Sequence, residues 1–140
     1  MVEAQVTWVN GLTFVGQSPS GKGIVIDGRK EAGGAELGPT PMELVLIALA
    51  GCTAMDVISI LQKQRQNVTS FQVKVRAERA QEHPKVYTEF HLEYIVKGKG
   101  ISEEGLKRAI QLSHEKYCSV GAMLEKAAPI HTSYTIIEEG

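Results

Sequence analysis

The sequence has few cysteines, few aromatic residues and no surplus of either charge. Only two of its 140 residues are cysteine, Cys52 and Cys118, and 6% are aromatic. Two thiols cannot supply a four-thiolate zinc site or a disulfide-dense scaffold. Fifteen Lys and Arg face sixteen Asp and Glu, a net charge of −1. Without a basic excess there is no electrostatic footprint for nucleic acid or an anionic membrane. The N-terminus, MVEAQVTWVN, has no basic segment leading into an apolar one, so no secretory signal is expected. The longest apolar run, Leu44 to Met55, is twelve residues. That is too short to span a bilayer and reads as a core helix. The expectation is a cytoplasmic, reducing setting without nucleic-acid or membrane partners. Nothing names a metal or a cofactor.

What is present is globular. The chain is 43% hydrophobic and 22% charged. Its length suits one domain, residues 1–140, that buries a core without staples. The two thiols are then either inert core residues or carriers of chemistry.

The N-terminal third reads as a β-meander. Ala4, Val6 and Trp8 alternate with Gln5 and Thr7, as in a half-buried strand. Asn10-Gly11 predicts a tight turn and Leu12–Gly16 a return strand. Ser18-Pro19-Ser20-Gly21 predicts a second turn, and Gly23–Asp27 a third strand. The segment Gly28–Pro39 carries four glycines and reads as a mobile loop. Thr40-Pro41-Met42-Glu43 is a capping box with Pro at the first helical position. The helix it opens should run to about Gln66. Its middle is apolar on nearly every face, so part of it is expected at a subunit interface.

Two alternating strands follow, centred on Phe71–Glu78 and Val86–Val96 and joined by Ala80–Lys85. Ser102 should cap a helix with Leu106, Ala109, Ile110 and Tyr117 on its apolar face. Ser119 should cap a short helix through Lys126, and Ser133–Glu138 should close as a strand. The order βββ-α-ββ-α-α-β is α+β with a mostly antiparallel sheet.

Three candidate sites emerge. Gly16 to Lys22 has phosphate-loop spacing, but Gly23 stands where a Ser or Thr is required and a strand follows, so a turn is expected. His114 and Cys118 are four apart and share a face if the helix extends that far. They would form a Cys–His nucleophile, or else a surface His beside a core Cys. Cys52 follows Gly51, and a helix-interior Gly costs about 1 kcal/mol relative to Ala. Gly51 therefore suggests a close approach to the backbone. Cys118 adjoins a predicted helix start, where a thiolate is favoured. On these grounds inert and reactive thiols are equally open.

Taken together, the β-meander, the Pro41 helix holding Cys52, and the late Cys118-Ser119-Val120 before Met123-Leu124 resemble the OsmC/Ohr superfamily (osmotically inducible protein C / organic hydroperoxide resistance) over essentially the whole chain. The nearest likeness is an OsmC-like branch with PMELVL, GC…DV and KYCSV…MLEKA. The resemblance implies a swapped homodimer with central long helices and thiols at the interface. It implies reduction of organic or inorganic hydroperoxides, with Cys52 peroxidatic and Cys118 resolving. A thiol or a lipoylated protein would restore the pair. The alternative is a non-catalytic member holding a small hydrophobic ligand at the dimer interface. The peroxidase branch supports its thiolate with an Arg from the N-terminal β-region and a Glu directly after the helix-opening Pro. Here no Arg precedes Arg29, and Met42 follows Pro41 with Glu43 one residue later. Arg29 and Glu43 are the candidate supporting residues, with His114. Nine residues separate Glu43 from Cys52, about 900° of rotation and roughly 13 Å of rise, so they lie on opposite helix faces.

Overall fold

The computed structural model describes all residues, 1–140, and divides them into two compact units, Met1–Val45 and Leu46–Gly140. The order of elements is the expected one.

In the N-terminal unit, β1 (Gln5–Asn10), β2 (Thr13–Gln17) and β3 (Gly23–Ile26) form an antiparallel meander. At the first turn Gly11 alone takes positive φ, +54°, and its carbonyl accepts from the Trp8 indole at 2.9 Å. The phosphate-loop look-alike is a hairpin turn. Ser18 N–H donates to Lys22 O, Gly21 N–H donates to Ser18 O, and Gly21 has φ +81°. β1 is not half-buried as its alternation suggested. Val6 and Trp8 are 62% and 63% exposed, and Val15, Ile24 and Val25 remain open as well. Alternation reports which residues share a face, not what covers it.

The glycine-rich segment is tied down rather than loose. Asp27 is buried, and its carboxylate accepts from the Thr13 hydroxyl and from the N–H groups of Gly28, Ala35 and Leu37. The chain folds back so tightly that a Cβ on Gly34 would lie 2.0 Å from Gly28 O. Only glycine fits there.

Helix α1 spans Pro41–Lys63. Its capping box is formed: Glu43 N–H donates to Thr40 Oγ1 at 3.2 Å, and Thr40 N–H donates to the Glu43 carboxylate at 2.8 Å. It stops before Gln66 because Arg65 takes a left-handed φ of +57°. Arg65 N–H reaches Gln62 O and Gln66 N–H reaches Leu61 O. This is a Schellman stop without its usual glycine, which is why the sequence did not mark it. Length and composition alone would let α1 cross a bilayer. Within the chain one stripe of it, Leu49, Thr53, Val57 and Leu61, is buried, and the Thr53 hydroxyl on that stripe is hydrogen-bonded to Tyr94.

In the C-terminal unit, β4 (Asn67–Arg79) and β5 (Tyr87–Lys99) form a long hairpin, and β6 (Ile130–Glu138) adds parallel to β5. β6 begins three residues earlier than expected. Phe90, Leu92, Tyr94 and Val96 of β5 point into the core with Leu106 and Ala109 of α2 (Glu103–Leu112). A register shift between Glu78 and Arg79 reverses the expected phase at the hairpin's end. Tyr87 is buried and Val86 is 51% exposed, because a bulge moves the following residues to the other face.

The hydrogen bonds to Asp27 yield a pH prediction. Burial alone would raise its pKa, but the bonds from Thr13, Gly28, Ala35 and Leu37 together outweigh it and hold it below the usual carboxylate value. A lowered folded pKa contributes stability that is present above the unfolded value, about 3.9, and lost as pH falls through the folded one. The wild-type protein should therefore melt several degrees above Asp27→Asn at pH 7. That gap should shrink below about pH 4, as followed by circular dichroism melts.

Candidate functional site

The site is assembled from one helix and one irregular turn. Cys52 and Asp56 lie four residues apart on α1, so both side chains leave the same face. Facing them, α2 ends in a single π-helical turn, Ser113–Tyr117, closed by Cys118 N–H donating to Ser113 O at 2.8 Å. The wider turn shifts the helical phase. Tyr117, expected in the apolar stripe, is 50% exposed, and Cys118 is buried instead. Such π-turns recur at functional sites for this reason.

Cys118, not Ser119, is the N-cap of α3 (Ser119–Leu124), and its sulfur accepts from Gly121 N–H at 3.3 Å. A Cβ on Gly121 would stand 3.1 Å from that sulfur. Cys52 is half-buried, Cys118 is buried, and both are free thiols. The Cys52 and Cys118 sulfurs and an Asp56 carboxylate oxygen all lie within 4.8 Å of one another.

A chain of buried hydroxyls backs the cluster. Ser113 Oγ donates to Asp56 Oδ2 at 2.9 Å. Ser113 is 2.8 Å from Thr53 Oγ1, which is 2.7 Å from the Tyr94 hydroxyl. Each hydroxyl has one proton. Since Ser113 gives its proton to Asp56, Thr53 must donate to Ser113, and Tyr94 to Thr53. The chain is thus directional and ends on Asp56. Burial first, opposed by the Thr53 bond and reinforced by Cys118 and Asp56, raises the Tyr94 pKa.

The expectation that Cys118 is a favoured thiolate is reversed. Its pKa is pushed up to about 11, chiefly by burial. The Gly121 N–H works against that, while Cys52 and the Asp56 carboxylate add to it. The opening of a six-residue helix does not offset desolvation beside a carboxylate.

The supporting candidates are placed as follows. Glu43 is engaged in the cap; its pKa is lowered by the bonds from Thr40 and, more weakly, by Arg29. Both belong to the N-terminal unit. His114 is 43% exposed and pairs with Glu125 at 3.5 Å, so the Cys–His arrangement with Cys118 is not formed. A Cβ on Gly51 would meet no neighbouring element within 4 Å, so no other part of the chain makes the close approach expected there. Two residues of the site were missed. Asp56 carried a signal, its i+4 spacing from Cys52. Ser113 carried none. The parallel pairing of β5 and β6 also stacks His91 on His131, centroids 4.9 Å apart, with both rings on Glu89. A cleft of about 520 Å³ beside Ile110, Ile130 and Tyr134 does not include the sulfurs.

The raised thiol gives a direct prediction. In reduced, metal-free protein, alkylation of Cys118 should climb with pH up to about 11. Peptide mapping after iodoacetamide pulses checks this; a plateau near neutral pH would contradict the burial argument.

Comparison with known proteins agrees with this architecture. The chain is 47% identical over 136 residues to protein YhfA of Escherichia coli (strain K12), covering 97% of this chain and 98% of YhfA. A crystal structure of a hypothetical protein from Aquifex aeolicus VF5 is similar at TM-score 0.86 and 31% identity, covering 100% of this chain and 98% of that one. An organic hydroperoxide resistance protein OsmC from Legionella pneumophila shares the fold at TM-score 0.70 and 13% identity, with 96% of each chain covered. The family profile described as "OsmC-like protein" matches residues 33–133. On family profile, sequence identity and fold alike, the chain belongs to the OsmC-like family.

Proposed function

We propose that the protein reduces small organic or inorganic hydroperoxides through Cys52 and Cys118, in the reducing cytoplasm. The observation that carries this reading is two free sulfurs within 4.8 Å, one half-exposed and one buried. Family kinship with hydroperoxide resistance proteins supports it. Cys52, the accessible thiol, attacks one peroxide oxygen as its thiolate. The O–O bond breaks, the alkoxide (hydroxide for hydrogen peroxide) leaves and takes a proton to become an alcohol (or water), and Cys52 becomes a sulfenic acid. The Cys118 sulfur then attacks Cys52. Water leaves and a disulfide forms. A thiol or a lipoylated protein supplies two electrons and two protons to restore the pair. The high pKa of Cys118 holds it back from direct attack on peroxide, and its thiol proton must be given up before it attacks the Cys52 sulfenic acid.

Reduced protein treated with cumene hydroperoxide should lose two thiols per chain and gain a Cys52–Cys118 disulfide by mass spectrometry. Cys118→Ser should stop at a Cys52 sulfenic acid, and Cys52→Ser should slow consumption roughly 100-fold or more. Unimpaired consumption by Cys52→Ser would end the proposal. Unreactive thiols with a co-purified apolar ligand would favour the binding alternative.

The working unit is proposed to be a homodimer. Only one stripe of α1 is buried within the chain, while Ile47 and Met55 are 57% and 73% exposed. An apolar face of this kind marks an interface. Light scattering should give twice the chain mass of 15.2 kDa, and Ile47→Asp with Met55→Asp should give a monomer.

A further inference from the structure

Asp56 is the residue of the cluster that peroxide chemistry does not use. No lysine, arginine or histidine pairs with its carboxylate; its recorded partner is the Ser113 hydroxyl. Two sulfurs stand beside it, and the three donor atoms come from two separate segments of the chain. Thiolate, thiolate and carboxylate are a donor set for a soft or borderline divalent cation. Zinc bonds of about 2.3 Å to sulfur and 2.0–2.2 Å to oxygen place tetrahedral donors about 3.3–3.8 Å apart. Side-chain rotations of about an ångström close the observed triangle to that size.

The donors are also held from behind, as ligands in metal sites are. Ser113 Oγ fixes the Asp56 carboxylate and is itself fixed by the Thr53–Tyr94 chain. Gly121 N–H points at the Cys118 sulfur. Cys52 and Asp56 are only half-buried, so a cation has a way in.

We infer that Cys52, Asp56 and Cys118 form a binding site for a thiophilic divalent cation of the zinc class, with the fourth coordination position open to water or an incoming ligand. Binding displaces the two thiol protons into solvent and changes no oxidation state. The cation and the disulfide are alternative uses of the same sulfurs, so a loaded chain resists both alkylation and oxidation. The inference shares its residues with the redox reading but does not depend on it.

The test is titration of reduced, chelator-treated full-length protein with Co²⁺, followed by displacement with Zn²⁺. The expected result is one metal per chain and the near-ultraviolet thiolate-to-cobalt charge-transfer absorption. The band should vanish in Cys52→Ser and in Cys118→Ser. Asp56→Asn, whose amide oxygen can still accept from Ser113, should bind about tenfold or more weakly. The exposed His91–His131 pair is a second metal-binding candidate, and the double variant His91→Ala/His131→Ala should keep the band. In the wild type, Zn²⁺ should protect both thiols from iodoacetamide, reversibly with chelator, a readout that needs no variant to fold. Absence of the band at excess Co²⁺, unchanged binding by Asp56→Asn, or thiols left unprotected by Zn²⁺ would each overturn the site. Peroxide consumption is measured separately on metal-free protein, so failure of either reading leaves the other standing.

Discussion

The chain of hydroxyls from Tyr94 through Thr53 and Ser113 to Asp56 is the constraint on which the site depends. It joins β5, α1 and the π-turn after α2 at a depth where an unmade hydrogen bond costs about 1–3 kcal/mol. Thr53 and Ser113 are 2% and 0% exposed, and no buried side-chain polar atom lacks a partner. Because each hydroxyl has one proton, the chain has one direction and needs an acceptor at its end. Asp56 is that acceptor. Removing it would strand Ser113's donor, so the carboxylate is structural even before any chemistry at the sulfurs is considered. The same chain sets the rotation of α1 and thereby points Cys52 toward Cys118.

The π-turn is the second half of the device. A regular continuation of α2 would place Tyr117 on the apolar stripe with Leu106 and Ile110. One wider turn instead sends Tyr117 outward and brings Cys118 to the α1 sulfur. Burial then works on Cys118 as it would on any thiol, disfavouring the thiolate, and the neighbouring carboxylate deepens the effect. The two sulfurs therefore differ in exposure although they share one site. That asymmetry supports a division of labour between an accessible attacking thiol and a withheld second one. It also leaves two thiols and a carboxylate side by side, where a cation could take the place of the thiol protons.

The N-terminal unit answers to a different constraint. Its glycine-rich segment has too few apolar side chains to pack, and one buried carboxylate, Asp27, organises it by gathering a hydroxyl and three backbone N–H groups. Its sheet carries Val6, Trp8 and Val25 in the open, as α1 carries Ile47 and Met55. These exposed residues explain why 43% hydrophobic content does not translate into a correspondingly large core within one chain.

The sequence by itself determined the local elements. The Thr40/Glu43 capping box, the Ser102 cap, the Asn10-Gly11 and Ser18–Gly21 turns and the strand alternation are short-range chemistry, readable from neighbours in the chain. It also carried the family, through two cysteines in their separate helical contexts. Where local signals were absent, the reading failed: the Arg65 helix stop without glycine, the bulge at Thr88 that exchanges Val86 for Tyr87, and the π-turn that displaces Tyr117. Tertiary structure alone decided the site. Helical spacing sets Asp56 beside Cys52, but Cys118 and the Ser113 hydroxyl that holds the Asp56 carboxylate come from 57 or more residues away. Cys118 is raised rather than lowered because burial by distant residues outweighs its local helix cap, and burial is a property of the folded chain that no stretch of neighbouring residues carries.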